Sequence, residues 1–273
     1  MSNCNNTDQY YLIGYPAKHS LSPKIHTQFA KQYNQNMHYG VLETAPEDLV
    51  TTLEKLRRNS SVKGLSITTP FKKKLFHYCD YLEQSAQETK AVSNVIINKE
   101  RKFIGVNLDG SGLIRDIYHN LKINLQQKSI LILGAGGATK GILPKILKAN
   151  PQQVVIANRT VSKASQLANS LNNHVIKITG CGLRAISGSF DMVINATSAS
   201  IGNNTLPLSP HHFKQHGFGY DLMYKDNGTV FTQWCRQHNI AATDGKGMLI
   251  EISKMIFYRW RSIKVDSTIC KDI

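Results

Sequence analysis

The chain has 273 residues, room for one large domain or two of medium size, and its 41% hydrophobic content supports well-formed cores. No apolar run is long enough to span a bilayer, which argues against a membrane helix. The net charge of +15 raises nucleic acid as a partner, but the cations are dispersed and no basic run is interleaved with aromatics, so anionic small molecules account for the balance and nucleic acid is not expected.

The opening Met1-Ser2-Asn3-Cys4-Asn5-Asn6 lacks the basic and apolar regions of a secretory leader. Cys4, Cys79, Cys181, Cys235 and Cys270 are odd in number and without metal-ligand spacing. Together these features point to a cytoplasmic protein with reduced thiols and no metal. Residues 10–14, 37–43, 62–68, 92–98 and 102–107 read as strands, being short, rich in Val, Ile, Leu and Tyr, and bounded by turn formers. The last two flank Lys99-Glu100-Arg101 and form a predicted hairpin. Helices are expected over Pro23–Tyr33, Pro46–Arg58 and Pro70–Tyr78, with Ser22-Pro23 and Thr69-Pro70 each reading as a capping residue followed by proline. An amphipathic helix from Asp109 to about Leu125 then carries the chain into a second unit. There, strands near 130–133, 153–157, 174–178, 190–195, 218–222 and 240–243 alternate with helices, the pattern of a doubly wound parallel sheet. Gly245-Lys246-Gly247 reads as a hinge before a last helix, Met248 to about Arg261, with Leu249, Ile252, Ile256 and Trp260 on one stripe. The chemistry is expected in a cleft between two α/β units.

The second unit opens with the most specific signal. Ile130–Leu133 is followed by Gly134-Ala135-Gly136-Gly137-Ala138, a helical segment, and Val154–Ala157. Glycines at such a strand–helix turn let backbone approach a pyrophosphate, which sits against the N–H groups and dipole of the helix. Thr139 stands where the third glycine of the usual fingerprint is expected. An NAD site places an acidic residue about 20 residues on, for a ribose 2′-hydroxyl. Here the strand ends in Asn158-Arg159-Thr160, a cation flanked by small hydrogen-bonding groups, and this suits the 2′-phosphate of NADP.

Four constellations precede it. Ser20 and Ser22 lie at the mouth of a helix, a place suited to a carboxylate. Lys72 falls in the first turn of a helix, where the dipole and its neighbours Lys73 and Lys74 disfavour its charge and favour an acid–base role. Asn94 and Asp109 closely follow or adjoin strands, and Asp109 starts the connecting helix.

In order, His19-Ser20-Leu21-Ser22-Pro23, Thr68-x-Pro70-Phe71-Lys72, Asn94, Asn107-x-Asp109-Gly110, Gly134–Ala138, Asn158-Arg159-Thr160, Asn195-Ala196-Thr197-Ser198, Tyr220–Tyr224 and Asp244–Leu249 resemble the shikimate dehydrogenase family over residues 10 to 260. The resemblance implies reversible NADP-dependent reduction of 3-dehydroshikimate to shikimate in aromatic (chorismate) biosynthesis, without a metal. It implies an N-terminal α/β substrate domain with a mixed sheet (1–109, completed by 245–273, the final helix returning to it) and a Rossmann-like NADP domain (110–244). Lys72 and Asp109 would be the acid–base pair. Ser20 and Ser22 would hold the substrate carboxylate, Thr68 and Asn94 would contact ring oxygens, and Tyr224 would join that site. Gly134, Ala135, Gly136, Gly137 and Ala138 would cradle the pyrophosphate. Asn158, Arg159, Thr160 and Lys163 would hold the 2′-phosphate, and Thr197, Leu222 and Gly245 would flank the nicotinamide. A monomer or homodimer is expected. Ser66, Leu108 and Ile252 depart from the family's Asn, Thr and Gln, which leaves a quinate-type substrate as the alternative. A non-catalytic NADP-binding regulator is a second alternative.

Overall fold

The apolar runs of the N-terminal part become β1 (Asp8–Gly14), β2 (Met37–Glu43), β3 (Val62–Ile67), β4 (Tyr81–Leu82), β5 (Asn94–Ile97) and β6 (Phe103–Val106). They form one sheet of order β2-β1-β3-β5-β6-β4 in a computed structural model that describes residues 7–171, 175–197, 199 and 206–266. All its pairings are parallel except those of β5, which runs antiparallel to β3 and β6. The sheet is therefore mixed. The predicted hairpin is β5–β6.

This sheet belongs to the first of two units into which the chain divides, Met1–Gly112 with Leu249–Ile273; the second is Leu113–Met248. Helices α1 (Ser22–Gln32), α2 (Leu49–Arg58), α3 (Lys72–Tyr78) and α4 (Gln84–Thr89) lie between the strands. Leu49, Leu53 and Leu56 of α2 and Leu75 of α3 are buried in one cluster with Val62, Leu65 and Ile67 of β3. The long last helix, which follows the second unit, returns Phe257 to pack edge-on against Phe29 of α1.

Three expected helix starts move. α1 begins at Ser22 itself, with Leu21 in the cap position and no side-chain cap bond. α2 begins at Leu49, because Asp48 N–H closes a turn onto the Ala45 carbonyl. α3 begins at Lys72, because Thr68–Phe71 is a turn closed by Phe71 N–H to Thr68 C=O, and Thr69 C=O is taken by Tyr15 N–H. Neither Ser22 nor Thr69 is a capping side chain.

Arg101, in the hairpin turn at φ 62°, is a structural residue that the sequence pattern does not announce. Its guanidinium donates to the carbonyls of Leu56, Arg57, Asn59 and Val62 at 2.6–2.8 Å. These include carbonyls that the C-terminal end of α2 leaves without helical partners, where a cation is also favoured by the dipole. Arg101→Ala is expected to lower unfolding free energy by roughly 2–3 kcal/mol, the scale of charged hydrogen bonds, with urea titration as the measurement and an unchanged midpoint as the contrary result.

The second unit holds α5 (Asp109–Arg115, which starts in the first unit), β7 (Ser129–Leu133), α6 (Gly137–Lys148), β8 (Gln153–Asn158), α7 (Val161–Ser170), β9 (Lys177–Gly182), β10 (Phe190–Asn195), β11 (Phe213–Asp221), α8 (Val230–Gln237) and β12 (Ala241–Thr243), and leads into α9 (Lys246–Arg261). Its sheet is parallel throughout, with order β12-β11-β10-β7-β8-β9. Numbered within the unit this is 3-2-1-4-5-6 read from β9, the doubly wound order whose reversal falls between β7 and β10.

The predicted helix over 109–125 is shorter. α5 ends at Arg115 and a single π-turn, Asp116–Asn120, follows, after which Leu121 N–H bonds back to the Asp116 carbonyl. In the segment expected as a hinge, Lys246 and Gly247 are the first residues of α9, and Gly245 N–H is bonded to the Met223 carbonyl. The strand expected at 174–178 is β9 at 177–182, and β11 extends back to Phe213. β4, of two residues, and α4, of six, are too short for an apolar periodicity to mark them. Among the described residues Cys79, Cys181 and Cys235 are free thiols, and burial pushes Cys79 and Cys235 up to about 12; Cys4 and Cys270 lie outside those residues. No described helix is long and apolar enough to cross a membrane.

Candidate active site

One edge of the mixed sheet gathers the N-terminal candidates. Ile13 pairs with Ile67, Ser66 with Asn94, and Asn94 with Val106. The segments after β1, β3 and β6 therefore start at the edge where β5 begins. Strand carboxyl ends, where helices begin, are the usual location of ligand sites in open α/β sheets.

At that edge Lys72, the first residue of α3, and Asp109, the first of α5, meet at 2.6 Å between Nζ and Oδ2. The Asp109 side chain is 8% exposed and that of Lys72 33%. A carboxylate that deep requires a partner, and the ammonium supplies it while still reaching solvent. Backbone anchors fix both ends. Val92 N–H bonds the Lys72 carbonyl at 2.8 Å, and the Asn107 side chain accepts from Asp109 N–H at 3.1 Å. Asn107 in turn donates to Thr89 Oγ1 and the Ala91 carbonyl, and Ser93 Oγ accepts from Leu108 N–H. Asp109 is thus an ion-pair partner, not a helix cap.

Asn94 is buried at the same end of the sheet. Its amide donates to Ser66 Oγ at 3.1 Å and its carbonyl oxygen accepts from Ser93 Oγ at 2.9 Å. Ser66 therefore engages Asn94 from the neighbouring strand. Ser20 and Ser22 sit together, Oγ to Oγ 3.1 Å, with Ser22 N–H also bonded to Ser20 Oγ. Their loop is pinned by Glu43, whose Oε1 accepts from Ala17 and Lys18 N–H. Those backbone bonds hold the Glu43 carboxyl below its usual range. Thr68 is half-buried, and its N–H bonds the Ile13 carbonyl.

In the parallel sheet the turn after β7 faces the turn after β10 at the reversal point. Gly134 adopts φ +104°, and a Cβ there would come within 3.1 Å of the Ala196 carbonyl oxygen. Gly136 caps α6 and Gly137 begins it; a Cβ on either would meet nothing within 4 Å. That open space beside the first N–H groups of a twelve-residue helix fits a pyrophosphate. Ala135 is buried, while Ala138 is exposed with Gly136 and Gly137. Thr139, at the position of the missing glycine, is fully buried and donates to the Gly134 carbonyl at 2.7 Å, tying the turn shut.

Asn158 links this turn to the end of β8, accepting from Ala135 N–H and donating to the Thr160 carbonyl. Arg159, Thr160 and Lys163 are exposed around the start of α7, with no carboxylate at the strand end. Thr197 Oγ1 donates to the fully buried Asn195 at 2.7 Å, and Asn195 C=O accepts from Leu222 N–H. Leu222, Gly245 and half-buried Tyr224 follow the neighbouring strands β11 and β12, so Thr197, Leu222 and Gly245 all lie past strand carboxyl ends. Tyr224 belongs to this unit, and Ser20, Ser22, Thr68 and Asn94 to the other. Ser198 lies outside the described residues. Among the described residues no group of three or more His, Cys, Asp or Glu is placed to hold a metal.

Two of the three departures, Leu108 and Ile252, share one environment. Leu108 is buried with Val106 and Ile256, against Ile252, Met255 and Trp260. Glu251, beside Ile252, is buried and paired with Lys254 at 2.8 Å.

Comparison with known proteins gives the family and the fold. The family model of the shikimate dehydrogenase substrate binding domain matches residues 12–96, and that of shikimate / quinate 5-dehydrogenase matches residues 116–203. The shikimate dehydrogenase (NADP(+)) of Herminiimonas arsenicoxydans is 38% identical over 96% of this chain and 94% of its own. That of Aeromonas salmonicida is 38% identical over 94% and 93%. Among solved structures, an Ael1 enzyme from Pseudomonas putida superposes with TM-score 0.87 at 36% identity, covering 96% of both chains. The shikimate 5-dehydrogenase of Thermus thermophilus, solved with NADP(H) and shikimate, superposes with TM-score 0.82 at 25% identity, again over 96% of both.

Proposed function

The chain belongs to the shikimate dehydrogenase family, and from that premise we propose that Lys72 and Asp109 carry the proton transfer of its reaction. It is an NADP-dependent oxidoreductase that interconverts 3-dehydroshikimate and shikimate, a step of aromatic biosynthesis. The observation that carries the assignment of roles is the 2.6 Å Lys72–Asp109 pair at the strand edge.

When bound, NADP(H) supplies or accepts the hydride. Reducing a ketone builds negative charge on its oxygen, and the Lys72 ammonium both stabilises that charge and gives up the proton. Asp109 holds the ammonium in place. In the reverse direction Lys72 acts from its neutral amine form and takes the proton of the substrate hydroxyl. Ser20 and Ser22 take the substrate carboxylate at the start of α1, Thr68 and Asn94 meet ring oxygens, and Tyr224 is a further substrate contact. The second unit, with Gly134–Ala138 and Asn195–Thr197, holds the dinucleotide, and Thr197, Leu222 and Gly245 flank its nicotinamide. Asn158, Arg159, Thr160 and Lys163 hold the 2′-phosphate. The protein works in the cytoplasm as a monomer or homodimer.

The test is a four-way steady-state assay, shikimate and quinate each with NADP and NAD. Shikimate with NADP is expected to give the highest kcat/KM. Arg159→Ala is expected to raise KM for NADP about tenfold, the loss of one charged contact, while leaving KM for NAD unchanged. A preference for quinate with NAD overturns the reading.

A further inference from the structure

Asp116 is a fully enclosed carboxylate that the proposed chemistry does not use. It is 3% exposed and opens the π-turn that ends α5. Such one-turn departures from α-helical pairing recur at functional positions. Asp116 Oδ2 accepts from Tyr220 Oη at 2.6 Å, and Oδ1 accepts from the Asn120 amide at 2.6 Å. The carboxylate also lies directly over Gly247, the second residue of α9, where any Cβ would overlap it. Glycine is required there because the carboxylate fills the volume a side chain needs.

Three segments distant in sequence therefore converge on one acidic group: the π-turn, the end of β11, and the start of α9. Tyr220 is fully buried, and burial with the neighbouring Asp116 charge pushes its hydroxyl well above the usual tyrosine range, so it remains a donor. Just past Tyr220 come Leu222 and Tyr224; just before Gly247 comes Gly245, bonded to the Met223 carbonyl. Three of the residues assigned to the nicotinamide and substrate end, Leu222, Tyr224 and Gly245, thus lie within four positions of an Asp116 contact.

We propose that Asp116 is a positioning residue for hydride transfer, holding the Leu222–Tyr224 and Gly245 segments in register through Tyr220 and Gly247. This rests on the assignment of those segments to the reacting end of the site. The pyrophosphate cradle is formed by another turn of the sheet, so cofactor affinity is not what Asp116 sets.

The experiment compares wild type with Asp116→Asn, Asp116→Ala and Tyr220→Phe. It measures kcat, KM for shikimate, NADP affinity by fluorescence titration, and the isotope effect with shikimate deuterated at the carbon that yields the hydride. Wild-type oxidation of shikimate tests the assignment of function separately. Asp116→Asn and Tyr220→Phe are expected to lose about tenfold in kcat, with a larger isotope effect and NADP affinity within about twofold of wild type. These two isosteric variants carry the test if Asp116→Ala does not fold. Wild-type kcat and isotope effect in both isosteric variants overturn the proposal, as does a loss of turnover accompanied by an equal loss of NADP affinity.

Discussion

Lys72→Met is expected to lower kcat for shikimate oxidation by roughly 10²–10⁴-fold, the range that a positioned acid–base group contributes, while NADP still binds. Methionine replaces the aliphatic stem and removes only the ammonium, so packing around α3 is retained. The reasoning follows from the pair itself. A ketone oxygen gaining charge needs a donor that is already oriented, and Asp109 orients Lys72 at 2.6 Å. Without the ammonium, the 5% exposed Asp109 loses its counter-charge; a stability loss of about 3–5 kcal/mol is then expected for the single variant. Lys72→Met with Asp109→Asn removes both charges and relieves that loss, so turnover and folding are separable. The double variant is expected to melt closer to wild type and remain as inactive as Lys72→Met. Turnover of the double variant within about threefold of wild type, against the much larger loss expected of an acid–base group, removes Lys72 from the chemical step.

Much of this site is visible in the chain before any fold is known, and the reason is local. Lys72 and Asp109 stand 37 residues apart, yet each comes within five residues of the end of a strand marked by its Val, Ile and Leu content and closed by turn formers. β2 and β10, predicted as 37–43 and 190–195, have those bounds in the structure. What the sequence pattern does not announce depends on partners distant in sequence. β9 contains Gly180, which reads as a loop residue but is in fact the place where the strand passes so close to the α7 backbone at Ala164 and Ser165 that no Cβ fits. Arg101 looks like a turn residue and acts on the end of α2. Asp116 lies in a stretch with helical periodicity, and the π-turn is set by the Tyr220 and Gly247 contacts, both more than 100 positions away. Thr139 looks like a defect in a glycine fingerprint; only the Gly134 carbonyl explains it.

Acidification is expected to destabilise the protein through His26, with the loss beginning near pH 6.5. His26 is 1% exposed, stacked on Tyr39 with centroids 4.2 Å apart and surrounded by Phe29, Phe257 and Trp260. Its Nδ1 has no hydrogen-bond partner among the described residues. A charged imidazole there would have no solvent, and burial pushes its pKa from 6.5 down to about 3. Because the folded value is depressed for a base, the direction is fixed. Above pH 6.5 both states are neutral and the full stability is present. As pH falls toward 3 the unfolded chain binds a proton that the native state cannot, costing about 1.4 kcal/mol per pH unit and about 5 kcal/mol in all. Below pH 3 the native state protonates too and the loss levels off. Carboxylates such as Asp80, held at about 2 chiefly by the Phe103 N–H and Arg57 against the opposing effect of burial, add their own acid sensitivity. They do so equally in wild type and in a His26 variant. The difference in unfolding free energy between wild type and His26→Phe therefore isolates the histidine, whatever the substitution costs at neutral pH. Denaturant titrations should show that difference moving by about 3 kcal/mol in favour of the variant between pH 7 and pH 4.5. A difference that stays constant over that interval would mean the imidazole gains a proton inside the folded core. The aromatic cluster around α1 and α9 would then have to open to water well before the chain unfolds.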